Sequence, residues 1–308
     1  MFSKLLYYLI IYPSSFLPMR VLYLFTDVLY LILRFVFPYR RNVIRGNLER
    51  SFPSKTTREL RIIERDYLRH FTDLLAEGVK NLSVSESELN KRFQVINPEI
   101  MDDLYKANKS VVLVSGHYNN WEWLITSQQL LFRHKAVGIG TPLSNKFWDK
   151  KINARRARFG MDIVNSKNVR EYFAKTSCPI ATLTLSDQSP GESSKSYWMD
   201  FLNQTTAVLF GTEMLANKFD HAVVFFHTKK VKRGHYKMHL QLITKTPRKM
   251  AWGEITERHT KLLEEIIQEA PEYWLWSHKR WKREIPKDLA QLRVVQRKKF
   301  EEIRRTFS

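Results

Sequence analysis

The stretch Val111-Val-Leu-Val-Ser-Gly-His117-Tyr-Asn-Asn-Trp-Glu122-Trp123 passes from one structural period to another within thirteen residues. Its β-branched start reads as a buried strand that stops at Ser115-Gly116. His117 then occupies the turn before a helix predicted over 121–132, and Asn119 and Asn120 are candidate caps for it. In an α/β sheet, ligand sites form beyond the C-terminal ends of strands. Glu122 follows His117 by five positions, where its carboxylate would accept a hydrogen bond from one imidazole nitrogen. The other nitrogen would face the cleft and take a proton from an alcohol, which is the logic of a catalytic triad without its serine. The nucleophile would be the substrate's own hydroxyl.

Outward from this point, short β-rich runs occur at 110–114, 136–139, 180–185, 222–227 and 236–243. Helical patterns separate most of them, at 121–132, 145–159, 169–175 and 205–219. Alternation of this kind predicts an α/β fold, a single domain with a mostly parallel, mixed sheet flanked by helices. The basic turn Lys229-Lys-Val-Lys-Arg-Gly234 makes the last two strands an antiparallel hairpin. Apolar positions at Leu60, Ile63, Tyr67, Leu68, Phe71 and Leu75 mark a helical region over 43–80, and helices over 254–269 and 287–306 close the chain.

Residues 5–37 are apolar or aromatic almost throughout, interrupted by Pro13 and Pro18. The piece from Met19 to Phe37 approaches the roughly 20 residues of a bilayer span. It also carries Arg20, Asp27 and Arg34 at intervals of seven, which return to nearly one azimuth as a polar stripe. A charge at the bilayer centre costs at least ~2.5 kcal/mol. The expectation is an N-terminal membrane anchor over 1–40, lying in the interface or docked by its stripe, followed by a catalytic domain over 41–308. No small-residue cleavage site follows the apolar run, which argues against a secretory signal.

The 308 residues contain 51 Lys+Arg and 31 Asp+Glu, a formal net charge of +20. Of this, 30 basic and 17 acidic residues in 151–308 contribute +13. Such a surface selects polyanionic partners: an anionic membrane surface, an acidic protein or nucleic acid. The single cysteine, Cys178, excludes an intramolecular disulfide framework and a cysteine-rich zinc site, and reads as a buried bystander.

The His-x4-Glu pattern in its Gly-His-Tyr-Asn-Asn-Trp-Glu-Trp context resembles the HX4D/E acyltransferases of glycerolipid synthesis, and more closely the bacterial late acyltransferases of lipid A biosynthesis. Further blocks strengthen the likeness: the apolar N-terminus, Arg155-Arg-Ala-Arg158-Phe-Gly, Ser186-Asp187-Gln188-Ser189-Pro190, and Pro271-Glu-Tyr-Trp-Leu-Trp-Ser-His-Lys-Arg-Trp281-Lys. They stand in the family's order. The resemblance implies transfer of a fatty acyl chain from acyl carrier protein, or from acyl-CoA, to a hydroxyl of a lipid A precursor at the inner membrane, with the catalytic domain facing the cytoplasm. His117 is then the general base and Glu122 its orienting partner. Arg158, with Arg155 second, is the expected site arginine, and Asp187 shapes the site or holds that arginine. The acyl thioester serves as co-substrate, so neither cofactor nor metal is expected. Acceptor choice stays open among lipid A precursors, lysophospholipids, amino-acid lipids and glycolipids. Trp274, Trp276 and Trp281, interleaved with basic residues, suit a mixture of core packing and head-group contact. The same segment and the net charge are what a nucleic-acid-binding protein would offer. The apolar N-terminus and the absence of a recognisable nucleic-acid module weigh against that reading, and no nucleic-acid partner is expected.

Overall fold

The protein is described by a computed structural model that covers residues 2–305. Its N-terminal part holds helices α1 (Phe2–Leu6), α2 (Tyr12–Ser14), α3 (Met19–Leu31), α4 (Arg41–Ser51), α5 (Thr57–Lys80) and α6 (Glu86–Arg92). Then follow β1 (Phe93–Val95), α7 (Glu99–Lys106), β2 (Val111–Ser115), α8 (Trp121–Leu131), β3 (Lys135–Gly140), α9 (Lys146–Arg156), β4 (Asp162–Asn165), α10 (Val169–Lys175) and β5 (Ile180–Leu185). The remainder is β6 (Tyr197–Phe201), β7 (Gln204–Val208), α11 (Gly211–Phe219), β8 (Ala222–Lys232), β9 (His235–Thr244), α12 (Glu254–Glu269) and α13 (Leu289–Arg305).

Seven strands form one sheet in the order β1-β9-β8-β2-β5-β3-β4, parallel except for the β8–β9 hairpin. The expected single α/β domain with a mostly parallel, mixed sheet is what forms. Every residue of β2 is buried, because the sheet is covered on both sides. Val111 and Leu113 pack with Trp123 and Leu124 of α8, while Val112 and Val114 pack with Ala216 of α11 and Ile255 of α12. That two-sided burial is why the strand reads as an unbroken apolar run rather than an alternating one.

One expected element is corrected. The helix predicted over 205–219 is split: Gln204–Val208 pairs antiparallel with Tyr197–Phe201, and helix begins only at Gly211. Leu202 and Asn203 both take positive φ (52° and 61°), forming a tight two-residue hairpin turn. Thr205, Thr206 and Val208 suit the strand that this turn sets up.

The N-terminal apolar run is a series of short helices packed onto α5. A π-helical segment, Tyr7–Ile11, joins α1 to α2, and another, Ile32–Val36, extends α3. Among the described residues no single helix is long and apolar enough to cross a membrane. Met19–Val36 and Arg41–Ser51 meet that test only together, and they are bent by 83°. Met19, Leu22 and Tyr23 of α3 pack against Ala76 of α5. Of the three charges of the stripe, Asp27 meets the domain, where Arg233 of the β8–β9 tip donates to it at 2.6 and 3.0 Å. Arg34 donates to Tyr30 of its own segment at 2.5 Å, and Arg20 is exposed. Arg233 also pairs with Asp73 of α5 and lies over the Tyr23 ring. At the same tip Gly234 has φ +71°, and a Cβ there would meet Arg92 at 3.1 Å as well as the Tyr23 hydroxyl, so glycine is required twice over.

Beneath that contact lies Glu77, fully buried on α5. Its carboxylate accepts from Tyr23 Oη and Tyr236 Oη, each at 2.8 Å, and from Asn120 Nδ2. Burial raises its pKa to about 7, against the lowering effect of the two tyrosine hydroxyls. One carboxylate thus joins the N-terminal helix α3, the hairpin strand β9 and the cap of α8. Glu77→Ala strands three buried donors and is expected to destabilise the fold by about 3 kcal/mol or more. Glu77→Gln, which keeps an acceptor, should cost less. Denaturant unfolding of both variants checks this, and equal losses would contradict it.

Candidate active site

β2 and β5 lie side by side in parallel, with Ser115 opposite Leu185. Ser186 N–H donates to Ser115 O at 2.9 Å, so the chains stay matched past the last paired residues. Two positions beyond that pair on each strand come His117 and Asp187. The sheet register therefore places the two side chains together.

His117 Nδ1 stands 2.6 Å from Asp187 Oδ1, and the His117 backbone N–H donates to Oδ2 at 2.8 Å. Trp274 Nε1 donates to the same Oδ2 at 2.8 Å. Burial alone would raise the Asp187 carboxyl, but the facing imidazole and these N–H donors hold its pKa down at about 2. An ionised carboxylate only accepts, so Nδ1 carries a hydrogen, and in the neutral imidazole Nε2 then bears the outward lone pair. A Cβ on Gly116 would come within 2.9 Å of Asp187 Cγ and 2.8 Å of Leu263 Cδ2. Glycine at 116 is what lets the carboxylate approach.

Glu122, expected to orient the imidazole, does not do so. Its carboxylate accepts from Arg155 Nη2 and from Arg156 Nε and Nη2. The two guanidiniums outweigh burial and lower its pKa. Helix geometry explains the correction: Glu122 is in the first turn of α8, whose start faces α9, whereas Asp187 arrives from the adjacent strand. Arg158, the first choice as site arginine, is also directed elsewhere. It donates to the carbonyls of Asn81 and Val84 at 2.8 and 2.9 Å, strapping α9 to the end of α5. Arg155 is the second choice, and it stands beside the site through Glu122, as does Arg156, which sequence spacing did not single out. Asp187 holds the histidine rather than an arginine.

Asn120 caps α8 by accepting from Trp123 N at 2.9 Å, as expected. Asn119 takes a left-handed φ of 54° and donates to Thr228 O at 2.6 Å. The near-terminal block forms the floor of the site. Trp274 and Trp276 are buried in the core, which corrects the expected share of head-group contact for these two rings. His278 Nε2 accepts from Ser189 N at 3.1 Å and so fixes the loop after Asp187. Gln188, on that loop, places its amide nitrogen 3.3 Å from His117 Nε2. Cys178, expected to be buried, is exposed. No cluster of side chains suited to a metal ion occurs among the described residues.

Two cavities flank the Glu122–arginine cluster and share Ile152. One, of about 450 Å³, is lined by polar residues, among them His117, Asp149, Asn153, Arg156 and Asn165, and by aliphatic ones that include Ile125, Ile139, Leu183 and Leu185. The other, of about 520 Å³, lies between the N-terminal helices, α5 and α9, with Phe71, Leu74 and Val79 among its apolar walls.

The depressed Asp187 pKa carries a pH dependence. Its contribution to stability is complete above the ordinary carboxyl value of 3.8 and is lost as pH falls toward about 2. Asp187→Asn should therefore lose stability at neutral pH and show a shallower decline than the parent between pH ~4 and ~2. Unfolding midpoints across that range test this, and parallel curves would contradict it.

The family model for bacterial lipid A biosynthesis acyltransferases matches residues 2–283. A lipid A biosynthesis palmitoleoyltransferase of Escherichia coli K12 is 23% identical over 248 residues, which is 79% of this chain and 79% of that protein. A lipid A biosynthesis lauroyltransferase of the same organism is 23% identical over 254 residues, covering 82% of each chain. With a match that runs from the N-terminal helices through the near-terminal tryptophan block, the chain belongs to the bacterial lipid A biosynthesis acyltransferase family and is an acyltransferase.

Proposed function

We propose that the enzyme moves a fatty acyl chain from an acyl thioester to a hydroxyl of a lipid A precursor, with His117 as general base and Asp187 as the residue that orients it. The 2.6 Å contact between His117 Nδ1 and a buried, ionised Asp187 is the observation that carries this reading. In the neutral imidazole it makes Nε2 the lone-pair nitrogen, aimed away from the carboxylate. Gln188 Nε2 stands where the acceptor hydroxyl must arrive, and the incoming hydroxyl takes its place. His117 then removes the hydroxyl proton as the oxygen attacks the thioester carbonyl carbon. The carbonyl electrons return, the C–S bond breaks, and the thiolate leaves with the proton that the imidazolium supplies. The products are an ester and a free thiol.

The cavity beside His117 suits the acyl chain of the donor, because it opens on the base and one wall is built from Ile125, Ile139, Ile163, Leu183 and Leu185. The larger cavity beneath the N-terminal helices suits the lipid acceptor. Arg155 and Arg156, fixed by Glu122 where the cavities meet, are placed to stabilise the oxyanion of the tetrahedral intermediate. Glu122 acts in this scheme as a positioning residue for the two arginines. The donor in this reading is an acyl carrier protein thioester, whose acidic carrier the +20 charge suits.

Membrane association follows from the outer face of the N-terminal helices. Leu24, Phe25, Val28, Leu31, Phe35 and Phe37 are all exposed, while the opposite face of α3 is packed on α5. An apolar face on a bent, non-spanning segment suits insertion into the interface of the inner membrane, with the domain on the cytoplasmic side.

His117→Ala should abolish acyl transfer while keeping the folded state, measured with a labelled acyl carrier protein thioester and a lipid A precursor in detergent. Normal turnover by the folded variant would refute the mechanism. Transfer to lysophospholipids, amino-acid lipids or glycolipids alone would keep the chemistry and replace the acceptor. Leu24→Glu with Phe25→Glu should release the protein from vesicles in flotation without lowering its unfolding midpoint; unchanged flotation would contradict the interfacial face.

A further inference from the structure

The 520 Å³ cavity is apolar along α5 but cationic toward the N-terminal end of α4 and along α9. Arg40, Lys151 and Arg155 all line it, and Glu122 is the sole carboxylate in its wall. That carboxylate is already saturated by Arg155 and Arg156. Arg40 and Lys151 make no ion pair among the described residues. The Nε of Arg155 is buried with no hydrogen-bond partner. A buried guanidinium nitrogen left unpaired costs free energy unless a ligand satisfies it.

Lys151, which has no carboxylate partner among the described residues, is held at the rim and hydrogen-bonds to Tyr8. Lys151 Nζ lies 4.6 Å from the Tyr7 ring centroid and 4.7 Å from that of Tyr8, with Phe147 at 5.9 Å. Three rings on an ammonium restrict its motion and keep it at the rim, because each ring face attracts a cation. Arg40 takes a left-handed φ of 48° at the start of α4, a backbone conformation that costs free energy outside glycine. The Lys151 side chain is anchored by the segment that closes the cavity over α5. Lys151 uses Tyr7 and Tyr8 of the π-helical turn, and Arg40 follows Tyr39, itself a wall residue.

We infer that Arg40 and Lys151 form a phosphate-binding site for the head group of the acceptor lipid, which lies with its chains along Phe71, Leu74 and Val79. A phosphate monoester carries close to two negative charges near neutral pH and matches cations that a single carboxylate would leave half neutralised. The placement also sets direction: a head group held at Lys151 and Arg40 brings the attached chains past Asn119–Glu122 toward His117. The inference rests on the reading that this cavity takes the acceptor and the cavity beside His117 takes the donor's acyl chain. The phosphates of coenzyme A or of a carrier's prosthetic group would offer the same chemistry, so the donor KM distinguishes an acceptor site from a donor site.

The test uses the full chain in detergent with two acceptors, a phosphorylated lipid A precursor and the same lipid after phosphatase treatment. The parent, Arg40→Ala, Lys151→Ala, the double variant and Lys151→Arg are compared by KM for acceptor and donor and by kcat. With the phosphorylated acceptor, the double variant should raise acceptor KM by roughly tenfold or more, as expected for lost charge-assisted hydrogen bonds. Lys151→Arg should recover part of that loss. The ratio of KM between the two acceptors should collapse toward one in the double variant, and donor KM should stay constant. An equal loss on both acceptors would overturn the phosphate site while leaving the acyltransferase reading intact. A shift in donor KM alone would overturn it by assigning the cations to the donor. Absence of transfer by the parent to either lipid would remove the acceptor reading and this inference with it.

Discussion

The parallel pairing of β2 with β5 is the constraint on which the rest of the site depends. Its register sets Ser115 against Leu185, and two further residues on each chain deliver a histidine and an aspartate to one point. Everything nearby serves that meeting. Gly116 removes the Cβ that would exclude the carboxylate. Trp274 and the His117 backbone satisfy its remaining lone pairs, and His278 pins the loop behind it. A buried carboxylate without those donors would take up a proton, and a protonated aspartic acid cannot fix the imidazole tautomer in the same way.

A second carboxylate organises the boundary between the domain and its N-terminal helices. Glu77 receives hydroxyls from α3 and β9 and the amide of Asn120, the residue that caps α8. The hairpin tip adds Arg233 between Asp27 and Asp73. The apolar N-terminal segment is therefore tied to α8 through buried polar contacts as well as through packing. Its outward face stays apolar and exposed, which is where the proposed membrane contact is made.

Much of the fold was legible because its strands are short, β-branched and punctuated by helices, and because Lys229–Gly234 marks a hairpin in plain sequence. The β6–β7 hairpin was not, since a turn at Leu202-Asn203 depends on a leucine in positive φ that no propensity favours. The site shows the same division. His117 was legible from its place after a strand and a glycine. Its partner was not, because sequence spacing offered Glu122 five residues away, whereas the carboxylate that meets it lies 70 residues on. Strand adjacency is a property of the sheet order, and nothing local in either segment states it. Arg158 misled for a related reason. An arginine in a basic block looks available until two backbone carbonyls at the end of α5 take its donors.

The account stands on Asp187, not Glu122, as the group that orients the base. The direct measurement is the single-turnover rate of acyl transfer by Asp187→Asn beside Glu122→Gln, each in folded, detergent-solubilised protein. Asp187→Asn should slow the chemical step by about 10³–10⁴, the scale on which a mispositioned histidine tautomer acts, with Glu122→Gln the milder of the two. An Asp187→Asn rate within about tenfold of the parent, with Glu122→Gln inactive, would return the orienting role to Glu122 and contradict the account.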